Sequence, residues 1–300
     1  ILIQRIMTAA FQWHNYGKST IGNRSDIMRV PATNLRVFYR KYYQPDNITL
    51  VIAGKFDNDL ALELVEKNFG SIPRPERKLP KTYTEEPAQD GERTVILRRS
   101  GDVQFVGLGY HIPSASSTEY ASAQVLARIL SNQPSGPLYK SLVETKLATS
   151  AGAFARIGYD PGIMLAYAEA PVDKDLLKAK DILVEQMESI GSNGVSDEDV
   201  KRAVVAISKG REQQFANTER FATALSEWES YGDWRLYFLH RDRLEAVTKA
   251  DVQEFAKKYM IQSNRTVGLF FPSEETDRIA IDAQNNVKKM VANYKGREAM

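Results

Sequence analysis

Apolar and polar positions alternate along this chain with two different periods, which predict where its helices and strands lie. In the N-terminal part, residues 31–42 are predicted to form a short helix, and Ile48–Ala53 a β-branched strand. A second helix is predicted from about 59 to 68, with its apolar residues on one face. Helix, break and strand therefore follow one another near the start of the chain.

The rest of the chain combines a group of predicted strands with a run of predicted helices. The predicted strands are 94–99, 102–112, 161–171 and 266–271. The predicted helices are 122–130, about 173–190, 196–207, about 217–240 and 249–260. Because strands and helices do not alternate regularly, the predicted fold class is α+β, a sheet backed by helices.

A short unit occurs twice in the chain and predicts a duplicated domain. Its residues Phe38, Lys41, Tyr42, Asn47 and Thr49 recur at one constant offset as Phe255, Lys258, Tyr259, Asn264 and Thr266. In both copies a helix ends, the chain breaks, and a strand follows. The second copy closes a domain of about 190 residues, whereas the first has about 37 residues before it. The first domain is therefore expected to lack most of its N-terminal part.

Composition suggests where the domains meet. Residues 72–92 carry several prolines among many charges, a composition typical of an interdomain linker. The predicted division is thus 1–71 as the C-terminal remainder of a first domain and 93–283 as a complete second domain. The polar stretch 284–300 is predicted to be a further linker, leading to a following half.

Charge and cysteine content exclude several classes of function. The net charge is +2, with 40 basic and 38 acidic residues interleaved, which disfavours nucleic acid or an anionic membrane surface as the partner. There is no cysteine, so disulfides, thiolate metal sites and a cysteine nucleophile are excluded. The longest apolar runs are too short to span a membrane.

The histidines do not have the spacing of a zinc site. His14, His111 and His240 lie far apart in the sequence, and no HxxEH, HxxxH or HxH motif occurs. We therefore predict no catalytic and no metal-binding residue in this chain. His14 is expected in a loop, His111 at the end of a strand, and His240 among charges on an exposed helix.

Three other stretches keep a structural and a functional interpretation open. Arg156, Tyr159 and Asp160 either bind a ligand or belong to an ordinary Asp-Pro-Gly turn. The aromatic group in 228–238 either packs in the core or forms an interface with another domain. GLGY (107–110) lacks the pattern of a phosphate loop and is interpreted as a glycine-loosened strand. Substrate-binding residues thus remain unassigned.

Four segments, in order, resemble the insulinase/pitrilysin family of zinc metallopeptidases. HNYGKSTIGNRSDI (14–27) resembles the family's His-Pro-Tyr-Gly loop, and LRVFYRKYYQPDNITLVIAGKFD (35–57) resembles the segment that closes its first domain. The stretches 194–215 and 247–272 resemble the end of the following domain. The resemblance implies paired, homologous α+β domains; larger members contain two such pairs, which close around a peptide.

The resemblance also implies zinc as the cofactor of the parent protein. In the family, an HxxEH motif and a later glutamate bind the metal, and the glutamate of the motif acts as general base. Both elements precede the loop that begins here at His14, so the zinc ligands are expected before Ile1. No family ligand is carried over onto this chain.

The expected function is the middle segment of a zinc-dependent metalloendopeptidase that degrades peptides. This segment would scaffold the zinc domain, line the substrate chamber and be inactive alone. A non-catalytic relative that acts in protein binding or complex assembly is the alternative. Expected partners are a peptide, the remaining domains of the polypeptide and, through apolar surface on Ile48–Ala53 and 59–69, further copies of the fragment. The family resemblance favours an exported, periplasmic protein.

Overall fold

A five-stranded sheet organises the computed structural model, which describes residues 1–275, 278–281 and 286–297. The strands are β1 (Arg93–Arg99), β2 (Val103–Ile112), β3 (Ser150–Arg156), β4 (Gly162–Pro171) and β5 (Arg265–Pro272). Their order across the sheet is β1-β5-β2-β4-β3. β1 pairs with β5 in parallel, and the other neighbours are antiparallel.

The helices surround this sheet and extend beyond it toward the N-terminus. They are α1 (Leu2–Ala10), α2 (Arg24–Arg29), α3 (Ala32–Tyr42), α4 (Asn58–Phe69), α5 (Tyr120–Ser131), α6 (Leu176–Glu188), α7 (Ile190–Asn193), α8 (Asp197–Phe215), α9 (Thr218–Ser230), α10 (Leu236–Glu245), α11 (Lys249–Tyr259) and α12 (Val287–Val291). The predicted α+β class is confirmed. Among the described residues, no helix combines the length and apolar character needed to cross a membrane.

The main core lies between one face of the sheet and the helices α5, α6 and α11. Strand β2 lies between β5 and β4, and helices cover it on both faces. This position explains its nearly continuous apolar sequence, because a strand buried on both sides does not alternate. Local signals mark where helices begin: Thr248 and Asp251 form a reciprocal capping box at α11, and Ser196 caps α8, which packs on α5.

On the opposite face of the sheet, three glycines let α1 come close. Gly107 in β2 pairs with Gly268 in β5, and Gly109 follows two residues later on the same face. A Cβ atom on Gly268 would lie 2.5 Å from Ile6 Cγ1, and one on Gly107 would lie 2.6 Å from Ile6 Cδ1. Ile6 is fully buried as a result. This second apolar cluster contains Leu2, Ile6, Met7, Ala10, Phe11, Ile163 and Leu165.

The N-terminal segment, 1–71, confirms two predicted helices and overturns the predicted strand. Helices α3 and α4 match the predictions at 31–42 and 59–68, but within the described residues 1–275 the segment Ile48–Ala53 is not a strand. A strand exists only when its backbone pairs with a neighbour, and no described strand lies beside this segment. Its apolar side chains and those of α4 are therefore exposed, as predicted. We define the open apolar face as Leu50, Ile52, Phe56, Leu60, Leu64 and Phe69.

Two further differences have local causes. Strand β3 was not predicted, because SAGAFAR (150–156) consists largely of small residues without a β-branched pattern. The helix predicted over 217–240 is divided into α9 and α10 at Gly232, whose φ of +127° does not fit a helix. The predicted domain division stays a prediction. Parts of 93–283 and 284–300 lie outside the described residues, and α1 packs on the second unit's sheet.

His240 is buried, and the prediction that it lies exposed among charges is wrong. Its ring stacks on Tyr120 and Trp228, with centroid distances of 4.6 and 5.1 Å, and its Nε2 atom lies 2.8 Å from Gln124 Oε1. Its Nδ1 atom has no hydrogen-bond partner in the described part of the chain. Burial, with nearby arginines, lowers the pKa of His240 to about 3. Trp228 and Tyr237 of the aromatic group lie in the core, as the structural interpretation predicted.

Replacing Gly268 by alanine should destabilise the fold by about 1–3 kcal/mol, because the new Cβ overlaps the fixed side chain of Ile6. The control is Gly210→Ala in α8, where a Cβ meets nothing within 4 Å and the free energy of unfolding should rise slightly. Urea unfolding measures both. Combining Gly268→Ala with Ile6→Ala should cost less than the sum of the single changes. If the two changes in the free energy of unfolding simply add, Ile6 and Gly268 are not in contact and α1 does not pack on the glycines.

Acid should destabilise the protein through His240. Its pKa in the folded state lies below the unfolded value near 6.5, so the stability it contributes is present above pH 6.5 and is lost as pH falls toward 3. Between pH 6.5 and 4.5 this group should remove about 2 to 3 kcal/mol from the free energy of unfolding. His240→Phe should flatten that part of the pH profile. Equal slopes in the two proteins would show that His240 does not resist protonation.

Candidate functional site

A carboxylate holds the loop that follows α1. Glu86, in the segment 72–92, accepts hydrogen bonds from the backbone N–H groups of Gln12, Trp13 and His14 at 3.0, 2.8 and 2.9 Å. Burial by itself raises the pKa of Glu86, but the three hydrogen bonds outweigh it, and the pKa is lowered. The predicted linker thus makes a specific, charge-assisted contact with the N-terminal unit.

Aromatic rings fill the space beneath this loop. Phe11 lies with its ring centroid 4.6 Å from that of His111 and 5.7 Å from that of Tyr16, and the rings of His14 and Tyr16 are 4.3 Å apart. His111 Nε2 lies 3.0 Å from the carbonyl oxygen of Ala10, and burial lowers the pKa of His111. His14 is a loop residue, and His111 is the penultimate residue of β2, as predicted.

The loop between β3 and β4 meets the α1 loop through side chains of both. His14 Nε2 lies 3.1 Å from Asp160 Oδ2, and the Asp160 backbone N–H donates to the Tyr16 hydroxyl at 3.2 Å. Any Cβ at Gly158 would overlap that hydroxyl, so only glycine allows the approach. Of the three residues singled out in ARIGYDPG, Asp160 is therefore used to join two loops.

Arg156 and Tyr159 instead line a cleft of about 270 Å³ between these loops. One wall is the stretch 15–20, a second is 156–162, and the end of α9 supplies the third with Ser230 and Tyr231. We call it the loop cleft. Its lining offers cationic, hydroxyl and aromatic groups, which suit ligand binding. Neither in this cleft nor in any other part of the described residues do three histidine, cysteine, aspartate or glutamate side chains lie close enough to hold a metal ion.

The sequence indicated one side of this site but not the other. Arg156, Tyr159 and Asp160 stood out as polar residues in a loop, and the HNYG stretch stood out by its family resemblance. That the two lie together follows from α1 packing on the glycines of β2 and β5, a tertiary contact that local pattern does not encode. Glu86 carried no sequence signal, because its partners are backbone groups.

Comparison with known proteins identifies the family. Residues 29–206 match the family model described as the peptidase M16 inactive domain. The chain belongs to the peptidase M16 family. The resemblance to insulinase/pitrilysin zinc metallopeptidases is thereby confirmed. The match begins in the first predicted unit and continues into the second, so this M16 chain carries inactive-domain sequence across both.

Individual M16 relatives agree with this assignment. The zinc protease PqqE of Helicobacter pylori is 30% identical over 152 residues, which are 50% of this chain and 34% of that protein. The chain therefore spans about a third of the length of this curated relative. A solved protease from Helicobacter pylori has the same fold, with a TM-score of 0.84 at 21% identity, over 89% of this chain and 66% of that one.

Two further solved structures resemble this chain. The inactive peptidase domain of a Bordetella parapertussis protein is 38% identical, with a TM-score of 0.56, and covers 62% of this chain and 99% of its own. The first half of the periplasmic protease PqqL from Escherichia coli has a TM-score of 0.67 at 18% identity, over 89% of this chain and 60% of that one. The fold of a sheet backed by helices is thus that of M16-like peptidases.

Removing the Glu86 carboxylate should release the α1 loop. Glu86→Ala should lower the hydrogen-exchange protection of the Gln12, Trp13 and His14 amides by about tenfold or more, because each loses a charge-assisted bond. Glu85→Ala, next to it and exposed, is the control. Since the pKa of Glu86 is lowered in the fold, wild-type protection should hold above pH 4.5 and fall as pH drops through the folded value. Unchanged protection of these amides in Glu86→Ala would show that the carboxylate does not hold the α1 loop.

Proposed function

We propose that this chain is the middle segment of a zinc-dependent metalloendopeptidase that degrades peptides. In this proposal it scaffolds the zinc domain, lines the substrate chamber and is inactive alone. The match of 29–206 to the M16 inactive domain supports the family role. The open apolar face also supports this role, because no described residue of this chain buries it and another domain could do so.

The open apolar face has the character of a domain interior. A groove of about 430 Å³ runs between the segment 50–56 and α4, and its lining is almost entirely apolar. Leu50, Leu60 and Phe69 are 54%, 53% and 53% exposed. Contiguous apolar patches on soluble monomers usually mark an interaction site. In the parent protein, we propose that the rest of the zinc domain covers this face.

Helix α9 supports the same arrangement from the other unit. The two copies of the repeat are separated by a constant offset in residue number. Adding that offset to the residues of α1, 2–10, gives 219–227, a stretch that lies within α9. Thr49 Oγ1 donates to Glu229 Oε1 at 2.7 Å, and a cleft between α9 and Thr49–Val51 is lined by Ala222 and Ser226. Helix α1 packs on the sheet of the second unit, and α9 lies beside the segment 48–53 of the first. Each unit thus lends one helix to the other, which suits a scaffolding role.

The chain's own residues do not fit zinc, so the metal is proposed to belong to the parent's other residues. His14, His111 and Glu86 come nearest to a ligand set. However, Glu86 accepts three backbone hydrogen bonds, His14 pairs with Asp160, and His111 is engaged at the α1 terminus. Binding zinc would break these contacts. We propose an exported parent, since the related PqqL is a periplasmic protease.

Comparing this chain with a longer protein that contains it tests the proposal. The longer protein should bind zinc, measured by atomic emission, and cleave a quenched fluorescent peptide until a chelator removes the metal. This chain should do neither. Zinc-dependent cleavage by this chain alone would contradict the proposed inert role. A longer protein that folds but neither binds zinc nor cleaves peptide would favour the alternative, a protein-binding or assembly role.

Two leucines on α4 test whether the zinc domain covers the open apolar face. Leu60 lines the apolar groove, whereas Leu62 is 68% exposed and lies outside it. In the longer protein, Leu60→Asp should cost about 3 kcal/mol or more of stability, because it buries a charge under the zinc domain, and Leu62→Asp should cost little. Thermal unfolding measures both. In this chain alone, Leu60→Asp should reduce self-association by light scattering. Equal effects of the two changes in the longer protein would contradict a covered face.

A further inference from the structure

Two positive charges in the loop cleft have no negative partner within the part of the chain that the structure describes. Lys18 and Arg156 both line it, and neither lies within 4.0 Å of a carboxylate oxygen in the described residues. No carboxylate belongs to the described lining of the cleft; nearby, Asp160 pairs with His14, and Glu227 lines the cleft beside α9. The lining formed by the described residues is therefore cationic, and it favours an anion.

Tyrosines supply neutral donors and apolar walls around these charges. Burial raises the pKa of Tyr231, with Glu227 adding to the effect, so its hydroxyl stays protonated. The Tyr16 hydroxyl accepts a hydrogen bond from the Asp160 backbone, which leaves its own proton free to donate. Tyr159 is 63% exposed at the rim, and Ile163 closes the floor. An anion bound here would have hydroxyl donors and an aromatic surface next to it.

We propose that the loop cleft binds the carboxylate of a peptide, with Lys18 and Arg156 as its cationic partners. A volume of about 270 Å³ lies just below that of pockets for drug-sized ligands, so the cleft holds one or two residues. Guanidinium and ammonium groups bind carboxylates through short, charge-assisted hydrogen bonds. The inference rests on the proposed function, which places peptides next to this chain, and it adds a selectivity for acidic groups or free C-termini.

The walls of the cleft are fixed before a ligand arrives. Glu86 holds one loop by its backbone, the His14–Asp160 pair joins that loop to the next, and Gly158 seats Tyr16. A preformed site loses little conformational entropy on binding. The backbones of the stretch 15–20 and of the β3–β4 loop are therefore held in place, and binding needs to order only the exposed side chains of Lys18 and Arg156.

Three short peptides test the chemistry with this chain alone, by isothermal titration calorimetry. The first is N-acetyl-Ala-Leu-Phe with a free C-terminus, the second is its C-terminal amide, and the third is N-acetyl-Ala-Glu-Phe amide. The free acid should bind at least about tenfold tighter than the first amide, and its affinity should fall with added salt. If the glutamate peptide binds as well as the free acid, the site takes any peptide carboxylate. If it binds as weakly as the amide, the site takes C-termini.

Variants locate the site. Arg156→Gln and Lys18→Gln should each weaken binding of the free acid by about fivefold or more. Arg128→Gln is the matched control, because it removes one exposed cation from a different cavity. Circular dichroism checks that the variants fold. Equal binding of acid and amide, or equal losses in Arg128→Gln and Arg156→Gln, would overturn the proposal. The assay needs neither zinc nor peptidase activity, so its failure leaves the scaffolding role standing.

Discussion

The contact of Ile6 with the glycines of β2 and β5 is the constraint on which the N-terminal part of the structure depends. Removing Cβ atoms at Gly107 and Gly268 lets a helix axis approach the sheet more closely than ordinary side chains permit. Burying one isoleucine there contributes on the order of 2–3 kcal/mol. The position of α1 determines where the loop after it lies. It therefore also determines the hydrogen bonds of that loop with Glu86 and the position of the loop cleft.

The predicted duplication suggests a structural meaning for this contact. Helix α1 packs on the sheet, and α9 lies beside the segment 48–53, which the repeat predicts to belong to a first unit. Pulling α1 away from the sheet would expose the apolar cluster around Ile6 to water. The open apolar face is lined by Leu50 and Ile52, whereas α9 lies next to Thr49 and Val51, so α9 does not cover that face. Folding of the two units is expected to be coupled.

Sequence patterns predicted those elements whose cause is local. Strands β1, β2, β4 and β5 and helices α3 and α4 carry their own periodicity, so the predicted limits lie close to the observed ones. Ile48–Ala53 has strand propensity but no described partner, and propensity alone does not pair a backbone. His240 looked exposed because charged neighbours surround it in sequence, although its own helical face points into the core. Strand pairing, burial and contact between loops are tertiary properties. They explain why the unpaired segment Ile48–Ala53, the burial of His240 and the meeting of the two loops could not be predicted from local sequence patterns.

The charges of the loop cleft make it unsuited to zinc. Zinc needs a concentration of histidine nitrogen and carboxylate oxygen, with lone pairs free to coordinate. Here the carboxylates of Glu86 and Asp160 are taken up in holding backbone and loop, and Lys18 and Arg156 face the open space. A divalent cation would meet repulsion from two positive charges, whereas an anionic group would be attracted by both. Glu86 and Asp160 therefore shape the cleft, while Lys18 and Arg156 would give it the proposed preference for anions.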